Sequence, residues 1–522
     1  MPKPAIRHSL LDDPLFGFEG ADGRTGQTTL PGILARMSSG ESTSLTAVQA
    51  HQQHAVHAFL VQLAALALHR GGCDDTIAHD EARWRELLVG AAKVDGADED
   101  AFALVVSDLS KPAFMQPPVP EGRLDVLKEQ HALPSAELDV VITSKNHDVK
   151  MERLTSPAPE HWAFALLTLQ TMQGFLGRGN YGIARMNGGF ASRPCCAFAA
   201  SPAASDRFVR DTRIVLKNRE DIASTGTCSM RGGIGLVWCA PWDGVDSLSL
   251  PNLDPFFVEI CRRVRLTIGR DGAIVARRAA SKAARISAKE SYGRTGDPWT
   301  PLSTADGKAL TMAETGFGYD RVRQLLFDDY NQGAAGTMLK SDHFWLGQVM
   351  VRGQGVTGGY HERWLPVPSR VRDQEGRNLL GQRAKDWVAL AKTARLNILK
   401  PALLVLIQGA PEKIKFDDAR VERHLKRLDT SIDADFFRLL FEHATSSTEA
   451  ADSAFENWVF GLAKEELDAA RDSLPVPSAR RWKAETCAYS TLFGAARKHF
   501  PNLDVFKPKS SPLEDASKGS PQ

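Results

Sequence analysis

The sequence lacks the signatures by which several enzyme classes and membrane proteins are recognised. Its 522 residues contain no H-E-x-x-H, G-x-S-x-G or Walker A motif and no zinc-finger spacing. The sequence therefore gives no support for a zinc peptidase, a serine hydrolase or a P-loop nucleotidase. The most apolar run, residues 55–68, is too short to span a bilayer. No apolar segment of signal-peptide type follows the basic start of the chain, and we therefore expect a cytoplasmic protein without a membrane anchor.

Paired cysteines and net charge are also scarce. The seven cysteines include no C-x-x-C pair, which predicts reduced thiols and offers no spacing typical of zinc ligands. The formal net charge is only +1, so the molecule as a whole is not a general binder of polyanions. Any contact with nucleic acid must therefore come from local basic patches.

Hydrophobic periodicity predicts a mixed first portion of the chain. Residues 1–43 alternate short apolar pieces with turn residues, which favours strands. A capping box at residues 46–49 predicts a helix that runs to about Leu68. Residues 213–216 and 235–238 have the apolar, β-branched character of strands.

Three further elements follow from local patterns. Residues 138–142 predict a short strand, and residues 161–172 predict an apolar helix. The segment 258–277 alternates apolar and basic residues, which predicts a strand with its arginines on one face. The pair Asp271-Gly272 predicts a hairpin turn within this segment.

From about residue 373 onward, apolar residues recur at helical spacing. The predicted helices span residues 376–409, 416–427, 434–445, 449–472 and 478–498, which indicates a bundle of about four helices. We therefore predict an α+β protein, with a large mixed α/β N-terminal domain over residues 1–370, a β-rich portion within it, and a C-terminal helix bundle over residues 371–506. The tail, residues 507–522, is rich in Ser, Pro, Lys and Gly, and we expect it to be disordered.

The most informative stretch is residues 174–193, GFLGRGNYGIARMNGGFASR, which interleaves six glycines with arginines and asparagines. Glycine allows close backbone approach and positive φ, and arginine supplies forked donors for phosphates and base edges. The combination suggests a loop that touches nucleic acid with its own backbone. A glycine-rich connection with solvated arginines has the same composition, so both interpretations stay open.

Two other segments could take part in the same contact. The basic strip, which we define as residues 262–294, contains ten Lys or Arg and two acidic residues in a nearly neutral molecule. This imbalance favours phosphate contact over a merely solvated hairpin face. A second glycine-rich segment, residues 352–360, is either a plain β-turn connection or a place where Gln354 and Thr357 meet base edges.

Two possible metal sites have less support. His51, His54 and His57 follow one another in steps of three, which drift around a helix, and no carboxylate nearby in sequence completes a ligand set. Core packing therefore explains these histidines better than metal binding does. Asn146-His147-Asp148 resembles a fragment of an HNH nuclease, which leaves a metal-dependent nuclease as an alternative function.

The order of the motifs resembles one family over nearly the whole chain. The motifs are LLDDPLF, AHQQHAVHAFLVQLAALAL, PAFMQP, LDVVITSKNHDVK, RMNGGFASRP and TGDPWTP, and the helix bundle follows them. In this order they resemble the large subunit of the type I-E CRISPR Cascade complex, the CasA family.

This resemblance implies a non-enzymatic DNA-binding subunit of an RNA-guided surveillance complex. Such a subunit recognises the protospacer-adjacent motif (PAM) of duplex DNA from the minor groove, helps to open the duplex and recruits a helicase-nuclease. The implied partners are double-stranded target DNA, guide RNA and the other Cascade subunits, namely the backbone, the small subunit and the subunit at the guide 5' end. No cofactor is implied. We expect no metal, because the cysteine cluster of some family members is missing here.

The resemblance assigns this function to a glycine loop, a lysine near the groove and a glutamine-bearing wedge, beside a further loop that touches guide RNA and motif DNA. The PAM glycine loop corresponds to Gly177, Arg178, Gly179, Asn180, Arg185, Asn187, Gly188 and Gly189. The wedge falls on Gly353, Gln354, Gly355 and Thr357, where either Gln354 or Thr357 occupies the family's wedge position. The loop that touches guide RNA and motif, residues 143–150, offers Lys145, Asn146 and Lys150.

The basic strip would hold the phosphates beside these loops. Its expected phosphate-binding residues are Arg277, Arg278, Lys282, Arg285 and Lys289. Lys282 and Lys289 are also the candidates for the family's groove lysine. The minor groove presents a degenerate code, which suits a subunit that reads a short motif while guide pairing reads the sequence. A helix-bundle interaction protein on an inert scaffold is a third hypothesis.

Overall fold

The computed structural model describes residues 7–41, 43–123, 135–139, 157–188, 193–327, 329–353, 356–473 and 478–507. The chain forms two compact units. Unit 1 comprises Met1–Phe317 and Asp328–Arg372, and unit 2 comprises Gly318–Phe327 and Asp373–Gln522. Unit 2 therefore includes a short segment from earlier in the sequence, which a single boundary after residue 370 does not anticipate.

Unit 1 combines helices with small sheets. Its helices are α1 (Leu30–Ser38), α2 (Gln53–Arg70), α3 (Glu81–Val94), α4 (Ser135–Leu138), α5 (Pro159–Met172), α6 (Ala204–Lys217) and α7 (Arg219–Gly226). Its strands are β1 (Phe16–Gly20), β2 (Thr25–Thr28), β3 (Thr43–Leu45), β4 (Cys195–Ala199), β5 (Ile234–Leu236), β6 (Leu248–Ser249), β7 (Leu253–Val258), β8 (Arg263–Ile268), β9 (Ile274–Ala279), β10 (Ile286–Ser287), β11 (Leu302–Ser303), β12 (Tyr330–Asn331), β13 (Phe344–Gly353) and β14 (Val356–Pro366).

The strands pair into separate small sheets. Two three-stranded antiparallel sheets have the orders β2-β1-β3 and β14-β13-β4. Strands β8 and β9 form an antiparallel hairpin whose register pairs Ile268 with Ile274, and the hairpin turn predicted at Asp271-Gly272 is confirmed. Strands β5 and β7, and likewise β6 and β10, are parallel pairs, while β11 and β12 are antiparallel.

Helix α2 is the centre of the core of unit 1. Its residues from Ala58 to Leu68 are all buried, because the segment is apolar on every face and such a helix must be surrounded. The polar exception, Gln62, donates from Nε2 to the carbonyl oxygen of Phe257 at 3.1 Å. The helix ends at Arg70, close to the predicted end at about Leu68, with Gly71 as its C-cap. It begins later than predicted, because a 3₁₀ turn over Ala50–Gln52 precedes it.

Unit 2 is helical in the part that the structure describes. Its helices are α8 (Tyr319–Leu326), α9 (Gln374–Thr393), α10 (Lys400–Ile407), α11 (Glu422–Glu442), α12 (Thr448–Ser473) and α13 (Ser478–His499). A π-helical turn over Ala394–Leu399 joins α9 to α10. It directly precedes Lys400-Pro401, and proline has no amide hydrogen to continue an α-helical ladder.

An aromatic cluster fills the interior of unit 2. The indole of Trp387 is fully buried and stacks on Phe455, with ring centroids 4.3 Å apart. Phe436 meets Trp387 edge-on, and the Nε1 of Trp387 donates to Asp452 at 2.9 Å. These contacts explain why apolar residues at helical spacing form a bundle here rather than separate helices.

The predicted α+β class is confirmed, but some predicted elements are wrong. Residues 213–216 belong to helix α6 and not to a strand, because Phe208, Thr212 and Val215 at helical spacing are all fully buried on one face. The two helices predicted at 416–427 and 434–445 are largely one continuous helix, α11. None of the helices in the described ranges reaches the length and apolar content that crossing a bilayer requires.

Candidate nucleic-acid interface

The first part of the glycine stretch is a closed loop on the end of helix α5. The amide of Ile183 donates to the carbonyl oxygen of Gln173 at 3.0 Å, which joins the two ends of the loop. Inside it, the amide of Leu176 donates to the carbonyl oxygen of Asn180 at 2.9 Å. Gly177 and Gly179 have φ angles of +102° and +90°, a region that L side chains rarely adopt. We call residues 173–183 the glycine loop.

A second turn follows at Met186–Gly188. Gly188 has a φ of +81° and is exposed, and no atom of the described residues lies within 4 Å of the place where a Cβ would stand. Gly293 packs against this turn so closely that a Cβ there would lie 2.9 Å from the carbonyl carbon of Met186. The last residue of the predicted glycine loop, Gly189, lies outside the described residues.

The glycine loop joins the basic strip. The amide of Ser281 donates to the carbonyl oxygen of Gly179 at 3.1 Å, and the hydroxyl of Tyr181 donates to the carbonyl oxygen of Lys282 at 3.0 Å. The approach at Gly179 is so close that a Cβ there would lie 2.9 Å from the Cβ of Ala280. The structure thus brings Arg178 and Lys282, both exposed, onto connected segments.

Not all of the strip is available at the surface. Arg262, Arg263, Arg265 and Arg285 are buried, so the strand face that carries Arg263 and Arg265 does not offer these arginines to a ligand. Burial lowers the pKa of the Arg265 guanidinium to about 10, and this group donates to the carbonyl oxygens of Val106 and Asp108. These arginines bind carbonyl groups of the protein, which alternation in the sequence cannot reveal.

Arg285 was expected to bind phosphate, but it lies inside the protein. Its guanidinium carbon stands 5.5 Å from the ring centroid of Trp242, and its Nη2 donates to the carbonyl oxygen of Ala240 at 3.0 Å. Burial lowers its pKa to about 10. We therefore leave Arg285 out of the interface. The exposed cations of the strip are Arg270, Arg278, Lys282, Lys289 and Arg294, and Arg277 is half-buried.

Arg185 is also buried, although it was expected in the DNA-reading loop. Its Nη1 donates to Glu259 at 2.9 Å and its Nη2 to the carbonyl oxygen of Phe257 at 2.8 Å. The guanidinium carbon stands 3.8 Å from the centroid of the Phe257 ring. The side chain thus fixes the backbone of the glycine stretch instead of facing a ligand. The sequence pattern around Arg185 does not reveal this, because its partner Glu259 is 74 residues away in sequence.

A buried ion pair stabilises the end of the same stretch. The Arg193 guanidinium donates to Asp297 from Nε at 2.5 Å and from Nη2 at 2.8 Å. Burial alone would lower the pKa of Arg193, but the Asp297 carboxylate more than offsets this effect and raises it. Asp297 also accepts from the hydroxyl of Thr300 at 2.8 Å. The motifs RMNGGFASRP and TGDPWTP are therefore joined by this pair.

The second glycine-rich segment includes the end of β13 and the start of β14, which pair as a long antiparallel hairpin. The pairing shifts between Val351 and Arg352, so that Gly358 is an extra residue on β14, which is a β-bulge. Arg352 donates from Nη1 to the side-chain oxygen of Gln173 at the base of the glycine loop. Gly353 and Thr357 are strand residues on either side of the turn, whereas Gln354 and Gly355 lie outside the described residues.

The predicted guide and motif loop, with Lys145, Asn146 and Lys150, also lies outside the described residues, as does the HNH-like segment 146–148. Asp139 precedes it, and its carboxylate lies 2.7 Å from the Nε2 of His51 and accepts from the Nε2 of Gln52 at 2.7 Å. Leu138 ends helix α4, so the strand predicted from this residue is wrong at its start.

The three histidines of helix α2 pack in the interior. His57 Nε2 lies 2.8 Å from the carboxylate of Asp211, and His51 bonds to Asp139. Burial lowers the pKa of His54 to about 3, and its ring lies 5.8 Å from that of Tyr360. Within the described ranges, no group of three or more His, Cys, Asp or Glu side chains is arranged to hold a metal ion.

No protein-family profile matches the chain, and no curated protein does. Solved structures do match. The CRISPR-associated protein Cse1 from Acidimicrobium ferrooxidans superposes with a TM-score of 0.63 at 14% identity, over 97% of this chain and 100% of that chain. CasA from Thermus thermophilus gives a TM-score of 0.59 at 16% identity, over 94% of this chain and 100% of that chain.

A chain of a CRISPR RNA-guided surveillance complex is also similar, with a TM-score of 0.59 at 13% identity, over 94% of this chain and 100% of that chain. Similarity at these identities shows the fold. The resemblance inferred from the order of motifs is therefore confirmed at the level of the fold, across both units of the chain.

Proposed function

We propose that this chain, which has the fold of Cse1 (CasA) proteins, is the non-catalytic large subunit of an RNA-guided CRISPR surveillance complex. In this proposal it recognises the PAM of double-stranded DNA from the minor groove and helps to open the duplex. Its partners are guide RNA, the other Cascade subunits and a helicase-nuclease recruited in trans, and it works in the cytoplasm.

The observation that carries the proposal is the junction between the glycine loop and the basic strip. The exposed turn at Gly188 presents its backbone without a bulky side chain, and such a turn can enter a shallow groove. The turn at Gly177–Asn180 presents the side chain of Arg178 beside it. The exposed cations Arg178 and Lys282 lie on the segments joined there. Turns of this kind read the groove while cations bind the phosphates that flank it.

The hairpin of β13 and β14 supplies the second part of the proposal. Its turn is the candidate wedge, with Gly353, Gln354, Gly355 and Thr357 as the residues concerned, and Arg352 anchors one side of it to Gln173. A wedge that enters a base step must overcome a few kcal/mol of stacking. Phosphate contacts by the exposed Arg278 and Lys289 of the strip, and by the half-buried Arg277, would offset this cost.

The proposal is tested with the complete guide-loaded complex and a duplex library randomised at the positions next to the guide-matched sequence. We expect bound duplexes to be enriched in a short motif, and the enrichment to vanish when this chain is omitted. A bound pool that stays random would contradict PAM recognition.

The groove is tested separately with base analogues. Inosine in place of guanine removes the minor-groove amino group, whereas 5-methylcytosine changes only the major groove. We expect inosine, and not 5-methylcytosine, to change the affinity of duplexes whose motif contains a G·C pair. Sensitivity to the major-groove change alone would rule out minor-groove reading.

A further inference from the structure

Arg262 belongs to the basic strip by sequence, but its guanidinium lies beneath the glycine loop. The Nη2 donates to the carbonyl oxygen of Gly174 at 2.8 Å, and the Nη1 donates to the carbonyl oxygen of Tyr181. These two carbonyls stand on opposite limbs of the loop. A single buried cation therefore bridges the limbs just above the point where the amide of Ile183 meets Gln173.

The position of Arg262 is itself fixed by Gln170 on helix α5. The side-chain oxygen of Gln170 accepts from the amides of Cys261 and Arg262 at 2.9 and 2.8 Å, and its Nε2 donates to the carbonyl oxygen of Arg262 at 2.9 Å. Gln170 is fully buried. The helix that leads into the loop is thus connected to the backbone of Arg262 by two hydrogen bonds, and a third holds the neighbouring Cys261.

We infer that Arg262 is a positioning residue, which sets the spacing of the two limbs of the glycine loop and so determines how well the loop discriminates a motif. This inference rests on the proposed function. A lysine has a single ammonium and cannot reproduce a planar fork with two donors aimed at two carbonyls. Arg262 itself is buried and acts through the loop, not by contact with DNA.

The chain offers a closely matched control on the same strand region. Arg265 is three residues further on, is fully buried, and likewise donates to two backbone carbonyls, those of Val106 and Asp108. Its acceptors belong to another loop. Arg262→Lys and Arg265→Lys therefore make the same chemical change in buried arginines, and only the first touches the glycine loop.

The experiment uses the complete guide-loaded complex with each variant. The first readout is the ratio of affinities for duplexes with and without the selected motif. We expect Arg262→Lys to lower this ratio by about tenfold, because displacements of about 1 Å in a binding constellation have effects of this size or more. Affinity for duplex without the motif should not change, since no exposed cation is lost, and Arg265→Lys should keep the ratio.

The second readout is hydrogen exchange of the peptide covering residues 173–183, where the amides of Leu176, Asn180 and Ile183 are bonded. We expect faster exchange in Arg262→Lys and not in Arg265→Lys. An unchanged ratio in Arg262→Lys, or an equal loss in both variants, would overturn the inference. If the unmodified complex fails to discriminate any motif, the proposed function is wrong. In that case, faster exchange confined to Arg262→Lys would still support the role of Arg262 in spacing the limbs of the loop. Unchanged exchange in Arg262→Lys would refute that role.

Discussion

The hydroxyl of Tyr181 donates a 3.0 Å hydrogen bond to the carbonyl oxygen of Lys282, across 101 positions of sequence. The bond fixes the part of the basic strip around Lys282 beside the glycine loop. Because it uses the backbone of Lys282, it leaves the ammonium group of that residue free to face solvent, where it is exposed. The proximity of loop and cation is therefore a property of the fold and not of a local run of charge.

This relationship predicts the effect of charge reversal. In the guide-loaded complex, Arg178→Glu combined with Lys282→Glu should weaken duplex binding with and without the motif alike. The slope of log affinity against log salt should fall by about two, since each lost phosphate contact removes about one unit. Titrations at several salt concentrations measure the slope. Lys93→Glu, an exposed reversal at the end of helix α3, is the control, and an equal effect there would refute a specific role for the pair.

Gly188 provides a test of motif reading that leaves charge unchanged. Gly188→Val places a branched side chain in open space at a φ of +81°, so we expect it to block close approach to the groove and to reduce motif discrimination. Gly272 at the β8–β9 turn has a φ of +84° and equally open surroundings. Gly272→Val carries the same backbone strain, and discrimination should survive it. Intact discrimination in Gly188→Val would show that this turn does not read the motif.

The Arg193–Asp297 pair should matter for stability much more than surface pairs do. Asp297→Asn leaves a buried guanidinium without its counter-charge, and we expect a loss of about 3–5 kcal/mol in the free energy of unfolding. Glu86→Gln removes the partner of Arg83 at the surface and should change stability by about 0.5 kcal/mol or less. Urea unfolding of the two variants measures both changes. Equal losses of unfolding free energy would show that the buried pair stabilises the protein no more than the surface pair does.

His54 should make stability depend on pH. Burial, followed by the nearby Arg193 charge, lowers its pKa to about 3 in the folded protein, while the unfolded value is about 6.5. The folded-state pKa is depressed, so the stabilising contribution is complete above about pH 6.5 and is lost progressively as the pH falls. Between pH 7.5 and 5.5 this single group should cost about 1.4 kcal/mol of unfolding free energy.

The measurement compares urea unfolding of the protein and of His54→Phe at the two pH values. The phenyl ring keeps the packing beside Tyr360 but does not titrate. We expect the fall in stability to be smaller in the variant by about that amount. The same fall in both proteins would mean that other groups cause the pH dependence.

Much of the fold can be predicted from the sequence, because the strongest signals are local. Helix α5 and the β8–β9 turn have clear patterns in neighbouring residues. Residues 213–216 are the opposite case: their β-branched character favours a strand, and burial of one helical face decides otherwise.

The candidate site is harder, since charge alone does not reveal exposure. Arg278 and Arg285 look alike in sequence, but only Arg278 is exposed, while Arg285 meets Trp242 and a distant carbonyl. Arg185 is likewise buried, because its guanidinium binds the carboxylate of Glu259 inside the protein. Sequence spacing identifies the segments of the site, but the partners that separate buried from exposed arginines come from residues tens of positions away.

The hydrogen bond between the amide of Ile183 and the carbonyl oxygen of Gln173 has a consequence for changes in the length of the glycine loop. Since the insert departs from and returns to almost the same point at the end of helix α5, its length and composition can change with little disturbance of the helix beneath it. We therefore expect helix α5 to tolerate insertions and deletions between Gly174 and Gly182 better than changes within the helix itself.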